Sequence, residues 1–169
     1  MTLIIETGAN VAGAEAYADA TAYVAWATAF NGAAPSAATA TIEAATRRAV
    51  RYLDGLRWTG TKTHGRLQPL AWPRAYVTDR DGWPVLSSTI PAEVIEAQHM
   101  LTQAEIAKPG CLAPSVGGSA QQKVLTGIGE MTWQVMPGAG APDASRTVVL
   151  AAMDRLRGLV TSGGTLVRG

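Results

Sequence analysis

The sequence predicts a mainly α protein: a small bundle of about four helices, with a long tryptophan-containing loop and a β-hairpin or extended β arm. Three observations lead to this fold class. Apolar residues recur at helical spacing in four stretches of the chain. Residues 57–90 have no helical period and are rich in Gly and Pro. Around residue 133, apolar and polar residues alternate as in a half-exposed strand.

The composition is that of one domain with a modest core. The 169 residues include 31 alanines, and charged residues make up only 16%, against about 25% in an average domain. Low charge and abundant alanine favour a surface that partners cover in part. We take residues 1–169 as a single domain with a helical core at about 14–109, a β arm at about 120–142, and a C-terminal helix and tail at about 145–169.

The first two helices follow an extended lead segment. Residues 2–7 are largely β-branched and end at Gly8, which predicts extended backbone. The first helix is expected to begin near Asp19 or Thr21 and to stop at residues 31–32. Its predicted apolar face is Tyr23, Trp26, Ala27 and Phe30. The second helix has the predicted face Ile42, Ala45, Ala49, Tyr52, Leu53 and Leu56.

A long loop and a third helix come next. A loop of this length is uncommon unless it is functional or ordered by a partner, and its three tryptophans, Trp58, Trp72 and Trp83, must pack somewhere. Pro91 suits the first position of the third helix, and Glu93 suits the positive end of its dipole. The predicted face of that helix is Val94, Ala97, Leu101 and Ala104.

The last third of the chain predicts an arm and a final helix. Met131, Trp133 and Val135 alternate with polar residues, and Gly127 and Gly129 are expected to turn a hairpin before them. The final helix is expected at about 145–159. Its predicted inward residues are Val149, Ala152, Leu156, Leu159 and Val160.

No motif for catalysis or metal binding is complete. Cys111 is the only cysteine, which excludes an intrachain disulfide and a cysteine-based zinc site. The glycines at 55 and 60 precede Lys62 by the wrong spacing for a phosphate-binding loop. A calcium loop built around Asp79 would need carboxylates at Val77 and Ser88. We therefore predict no enzyme activity, no cofactor and no metal.

Membrane insertion and secretion are not expected either. The N-terminus lacks the basic and apolar regions of a signal peptide. No stretch approaches the ~18 uninterrupted apolar residues of a transmembrane helix. We expect a soluble protein that is made in the cytosol and has no membrane partner.

Charge is segregated along the chain although the net charge is only +1. Residues 1–45 carry four acidic and no basic side chains, and residues 46–80 carry eight basic and two acidic ones. Residues 81–144 are again acidic and residues 145–169 basic. Such blocks can attract nucleic acid or pair with copies of the same chain. The nearly neutral total favours subunit pairing.

Binding of single-stranded DNA is the main alternative. A basic track with aromatic side chains that stack on bases is how single strands are held. Here the aromatic candidates are Trp58, Trp72 and Tyr76. The basic candidates are Arg47, Arg48, Arg51, Arg57, Lys62, Arg66, Arg74 and Arg80.

One block of the loop resembles a known family. It consists of residues 70–74 (LAWPR), 77–85 (VTDRDGWPV) and 90–94 (IPAEV). The chain resembles a family of tailed-bacteriophage proteins labelled DnaT-like single-stranded-DNA-binding proteins, which is similar to head–tail connector adaptors. The opening LIIETG and the segments RRA, YLDG and WTG around the second helix agree with it, so the resemblance covers about residues 1–107.

The resemblance implies a structural role without chemistry. Such adaptors are small helical bundles that assemble, in twelve copies, beneath the portal of the virion neck, and they carry the stopper or tail-terminator protein. Genomic double-stranded DNA passes through the central channel without sequence-specific binding. The expected location is therefore the virion, after assembly in the host cytoplasm.

Two groups of residues are candidates for this role. The family motif that anchors the loop comprises Trp72, Pro73, Arg74, Asp79, Asp81, Gly82 and Pro91. The candidate subunit or portal interface comprises Arg74, Arg80, Arg146, Arg155, Arg157, Leu166 and Val167. We expect the Trp72–Pro73 pair to act as a rigid kink, and Arg74 and Arg80 to pair with acidic groups of this chain or the next.

Overall fold

A computed structural model describes residues 2–113, 121–125, 133–137 and 149–161. In these ranges the chain forms four α-helices and two separate antiparallel pairs of strands. The helices are α1 (Ala20–Asn31), α2 (Thr39–Asp54), α3 (Ala92–Ala107) and α4 (Leu150–Arg155). The strands are β1 (Thr61–Lys62), β2 (Arg74–Ala75), β3 (Gln121–Leu125) and β4 (Trp133–Pro137). The predicted fold class, mainly α and small, is confirmed.

The N-terminal segment is extended, as predicted, and a buried carboxylate organises it. The Glu6 carboxylate accepts hydrogen bonds of 2.8–3.0 Å from the backbone N–H groups of Gly8, Asn10 and Val11. The Glu6 N–H itself donates to the carbonyl of Ala16 at 2.8 Å. Because a buried carboxylate is costly unless it is hydrogen-bonded, this loop is fixed in one conformation.

Helix α1 begins and ends at capping residues. The Asp19 side chain accepts a hydrogen bond from the N–H of Ala22 at 2.7 Å, and Gly32 ends the helix in the left-handed conformation with φ 74°. Only part of the predicted apolar face is buried. Phe30 stacks on Trp26, with 5.0 Å between the ring centres. Of that face, Tyr23 and Ala27 are buried, Trp26 is half-buried and Phe30 is exposed.

Helices α2 and α3 pack against each other at the centre of the fold. Both predicted faces lie in the core, with Leu56 and Ala104 at its half-buried margin. Gln98 ties the N-terminal segment to α3, since its amide accepts from the N–H of Tyr17 at 2.7 Å and donates to the Ala18 carbonyl at 3.0 Å. Pro91 is the residue before the helix rather than its first position.

The long loop contains no α-helix among its residues, as predicted, but it is folded. Strands β1 and β2 pair within it, and a 3-10 turn covers Gly65–Leu67. Residues 77–85 form a hairpin in which the N–H of Val85 donates to the Val77 carbonyl at 2.9 Å. The hydroxyl of Thr63 donates to the Ser87 carbonyl at 2.8 Å and so joins the start of the loop to its end.

The final helix differs from the prediction. It spans only Leu150–Arg155, and residues 145–148 lie outside the described ranges. After the helix ends at Arg155, Gly158 has φ 96° and Val160 forms a bridge with Trp58. Ala152, Leu156 and Leu159 are buried as predicted, whereas Val149 and Val160 are half-buried.

Strands β3 and β4 lie within the segment predicted as an arm. They pair antiparallel from Gln121 with Pro137 to Leu125 with Trp133. Among the described elements, each of these strands contacts only the other. The predicted turn residues Gly127 and Gly129 lie outside the described ranges.

Candidate interaction surface on the long loop

Trp72 anchors the loop in the core. Its side chain is fully buried, and the Trp58 ring meets it edge-on at 5.6 Å between ring centres. The Trp72 N–H donates to the Tyr17 hydroxyl at 3.3 Å, and the peptide bond to Pro73 is cis. The Trp72 ring is therefore enclosed by its own chain and cannot stack on a nucleic acid, whereas Trp58 is half-buried.

Arg74 binds the backbone of its own loop. Its guanidinium donates to the carbonyls of Thr59 and Gly60, both at 2.7 Å, and of Ala71 at 3.2 Å. Burial lowers the pKa of Arg74. We expected Arg74 to pair with an acidic group. In the described part of the chain its guanidinium donates to three carbonyl oxygens instead. Arg74 thus joins two parts of the loop, residues 59–60 and residue 71.

The acidic motif residues shape a turn. Asp79 Oδ1 accepts from the N–H groups of Asp81 at 2.9 Å and Trp83 at 2.8 Å, and Gly82 has φ 90°. Asp81 itself is exposed. Within the ranges the structure describes, no cluster of three His, Cys, Asp or Glu side chains could hold a metal ion. The hydrogen bonds to Asp79 and the turn at Gly82 thus fix the backbone of Trp83 directly after the hairpin turn.

Two basic residues of the 46–80 block form ion pairs within the chain. Arg47 and Glu15 are 3.1 Å apart, and Arg48 reaches the buried Glu105 at 2.6 Å. Burial alone would raise the pKa of Glu105. Hydrogen bonds from the N–H groups of residues 110 and 112, together with Arg48, hold that pKa below its usual value. Both of these pairs join residues that are far apart in the sequence, so the linear sequence does not reveal them.

The candidate interface residues fall into three groups. Arg155 pairs with Glu96 at 2.8 Å and Arg157 with Asp154 at 2.6 Å. Arg80 is exposed, and no ion pair between described residues includes it. The remaining candidates lie outside the described ranges; they are Arg146, Leu166 and Val167.

The loop presents a group of exposed apolar side chains, which we call the loop surface. It consists of Leu67 at 90% exposure, Tyr76 at 92%, Trp83 at 71% and Leu86 at 72%. They are four of the seven large apolar side chains that are exposed in the described ranges. The exposed Arg66 and Arg80 lie in the same segment.

The backbone of Tyr76 has an unusual conformation. Its backbone has φ 59°, a conformation that non-glycine residues rarely adopt. The neighbouring Gly60 allows this close passage, because a Cβ there would lie 2.3 Å from the Ala75 carbonyl oxygen. A strained residue with a fully exposed aromatic ring is more consistent with a binding role than with packing.

Sequence reasoning found part of this surface. Tyr76 was predicted as a contact residue and Trp83 as a loop tryptophan, whereas Leu67 and Leu86 carried no signal. Both leucines stand in Gly- and Pro-rich sequence without periodicity, so nothing local separates an exposed leucine from a buried one. Trp72 is fully buried and Trp58 is half-buried, so Trp72 is not available as a stacking ring in the DNA-binding alternative.

The fold is that of a small, mainly α protein. The model of one family, described as "Putative DnaT-like ssDNA binding protein", matches residues 1–169. The chain belongs to this family. No curated protein and no solved structure matches the chain significantly. No helix in the described ranges is long and apolar enough to span a membrane.

Proposed function

We propose that this protein is a head–tail connector of a tailed phage. It forms a ring beneath the portal, links the capsid to the stopper or tail terminator, and lets genomic DNA pass. The loop surface is the observation that carries the proposal, together with the resemblance of residues 70–94 to adaptor-like proteins. A monomer with four large exposed apolar side chains in one loop is suited to permanent assembly.

The magnitude supports a stable contact. Burying one large apolar side chain contributes about 1.5–3 kcal/mol, so the loop surface holds several kcal/mol that the isolated chain does not use. Trp, Tyr and Arg are the residues that dominate binding energy at interfaces, and Tyr76, Trp83, Arg66 and Arg80 are all exposed here.

The partners follow from this proposal. They are the portal ring, neighbouring connector subunits in about twelve copies, and the next neck protein. Double-stranded DNA is a passenger in the channel. The protein acts in the virion neck, performs no chemistry, and needs no cofactor.

Mass photometry of the chain with its portal ring tests the proposal. We expect the chain to add about twelve copies to the portal and the L86A variant to bind at least tenfold more weakly. L150A is the matched control, because Leu150 lies on α4 with 73% exposure against 72% for Leu86. Absence of binding to the portal ring would refute the connector role.

Single-stranded DNA binding is the second candidate function. The specific observation in its favour is that Tyr76 and Trp83 are exposed aromatic rings in the same loop as the exposed Arg66 and Arg80. The family description points the same way. Much of the basic track is unavailable, however, because Arg47 and Arg48 are in ion pairs and Arg74 binds carbonyls.

Salt separates the two candidates. Affinity for a labelled oligo-dT should fall steeply between about 50 and 200 mM salt if the loop binds phosphates. An apolar protein contact should change little over the same range. Binding of oligo-dT at physiological salt without binding to the portal would favour the second function.

A further inference from the structure

A cavity lies beside the N-terminal segment, away from the loop surface. Its volume is about 310 Å³, at the lower end of the range of ligand pockets, about 300–1,000 Å³. The N-terminal segment, α3 and the end of the long loop supply its lining, which consists of Ile5, Glu6, Thr7, Tyr17, Ser88, Thr89, Ile90 and Ile95. We infer that this cavity binds an extended segment of a partner protein and takes one of its aliphatic side chains. The inference goes beyond the proposed function, because it assigns a site within the single chain.

Two stretches of the lining have free backbone groups. The groups on either side of Ile5 bond to Ala16, so the N–H and carbonyl of Ile5 itself point to the opposite edge of the segment. Among the described residues, no hydrogen bond includes the backbone of Ile5, Ser88 or Ile90. The two stretches meet where a Cβ on Gly8 would lie 1.9 Å from the Ser88 carbonyl oxygen. Free donors and acceptors along an extended segment are what an added β-strand uses.

The walls of the cavity fit an aliphatic side chain. Ile5, Ile90 and Ile95 are half-buried and Tyr17 is buried, so apolar side chains from separate parts of the chain meet here. An engineered apolar cavity of about 150 Å³ holds a benzene molecule. The cavity therefore has room for an aliphatic side chain and part of the backbone that carries it.

Charge and strand pairing select the kind of occupant. No lysine, arginine or histidine lines the cavity, so the phosphates of a nucleic acid would have no counter-charge there. The one carboxylate in the lining, Glu6, already accepts three N–H groups of its own loop, and it would repel a second acidic group. The occupant is therefore a peptide segment without acidic residues. The strands in the described ranges already pair with one another, which favours another protein over a second copy of this chain as the source.

Methyl NMR of the full chain with an added peptide tests the inference. The probe is an acetylated and amidated pentapeptide, Lys-Thr-Ile-Thr-Lys, titrated to about 5 mM, which reveals dissociation constants in the millimolar range. We expect the δ1-methyl signals of Ile5, Ile90 and Ile95 to shift with one common dissociation constant. The signals of Ile42 and Ile106 should not move, because both residues pack in the separate cluster around α1.

Peptide and protein variants separate the two parts of the inference. A peptide with Asp in place of Ile should bind at least about tenfold more weakly, since a buried carboxylate without a partner is costly. A peptide with two successive N-methylated amides should also bind about tenfold more weakly, because it lacks a backbone donor on each edge. I95F should fill the cavity and abolish the shifts of the other two methyls. I106F, the control, changes another half-buried isoleucine of α3 and should leave binding unchanged.

Each result decides the inference. Shifts confined to the cavity methyls, lost in I95F and weakened with the Asp and N-methyl peptides, support it. Three results overturn it: no shift at about 5 mM peptide, shifts spread over all isoleucines, or equal binding of the N-methylated peptide. Shifts that depend on protein concentration without peptide would identify a second copy as the occupant and overturn it too. The methyl spectrum shows whether each variant is folded, and I90F is the second filling variant should I95F not fold.

Discussion

Acid should destabilise this protein through one buried histidine. His99 is buried on α3, and its ring stacks on Trp26 with 5.4 Å between ring centres and lies 5.9 Å from that of Tyr23. Burial lowers the pKa of His99 to about 4, and Asp19 offsets this only in part. In the part of the chain that is described, its buried Nδ1 has no hydrogen-bond partner.

The size of the effect follows from linkage. The unfolded chain, with a histidine pKa of about 6.5, binds the proton more tightly than the folded chain does. Stability is therefore unaffected above about pH 6.5 and falls as the pH decreases toward 4. The loss is about 2 kcal/mol at pH 5 and approaches about 3 kcal/mol below pH 4.

Urea unfolding at several pH values measures this directly. We compare the wild type with H99F, which keeps an aromatic ring but cannot be protonated, and with H64Q, which changes the exposed second histidine. The free energy of unfolding of the wild type and of H64Q should fall by about 2 kcal/mol more than that of H99F between pH 7 and pH 5. Parallel pH profiles for the wild type and H99F would refute the reasoning.

Three further predictions concern stability. G8A should lower the free energy of unfolding by about 2–4 kcal/mol, because Gly8 has φ 100° and a Cβ would lie 1.9 Å from the Ser88 carbonyl oxygen. R74E should lower the free energy of unfolding by about 3 kcal/mol or more, since three carbonyl oxygens lose their hydrogen-bond donor. Removing residues 145–169 should unfold the chain, because Ala152, Leu156 and Leu159 are buried in the core. Urea or thermal unfolding measures all three.

Both substitutions have a control. G13A should lower the free energy of unfolding by only about 1 kcal/mol. The φ of Gly13 is also positive, but the atom nearest to a Cβ there, Ile4 Cδ1, would be 3.7 Å away. R66E changes an exposed arginine and should leave stability nearly unchanged. A G8A variant as stable as G13A would contradict the close approach to Ser88. A folded chain lacking 145–169 would contradict the core role of the C-terminal segment.

The C-terminal segment belongs to the core. Ala152 and Leu156 are fully buried, and the Leu159 carbonyl accepts hydrogen bonds from the N–H and hydroxyl of Thr59 at 2.9 and 3.0 Å. Losing a single buried leucine costs about 2–5 kcal/mol. A chain that lacks residues 145–169 therefore cannot report on portal attachment separately from folding.

The sequence predicted what local periodicity encodes. The faces of α2 and α3 follow from a 3.6-residue repeat, and the start of α1 follows from Asp19, a common capping residue. Contacts between distant residues left no such trace. Thr59 and Leu159 are 100 positions apart, and no local sequence pattern predicts that they are in contact. The end of α4 was misplaced for this reason, because pairing with the Trp58 segment overrides helical propensity.

The candidate site was predictable in part for a related reason. The sequence predicted a loop-anchoring group at residues 72–82, but it also left Trp72 open as a stacking ring and Arg74 as an interface residue. Trp72 and Arg74 were both candidates for an external partner, and both are engaged by their own chain. An arginine that donates to three carbonyls and one that faces solvent look the same in a sequence, since only the fold decides which acceptors are near.

Anchors and contacts in one loop have separable consequences for function. Changes at Trp72 or Arg74 remove core packing or backbone hydrogen bonds, so they lower stability and disturb every activity of the chain at once. Changes at Tyr76 or Trp83 remove exposed surface, which costs the folded monomer little. Loss of assembly at unchanged stability is therefore the signature of the loop surface. A connector and a DNA-binding protein would both show it, and the partner that is lost tells them apart.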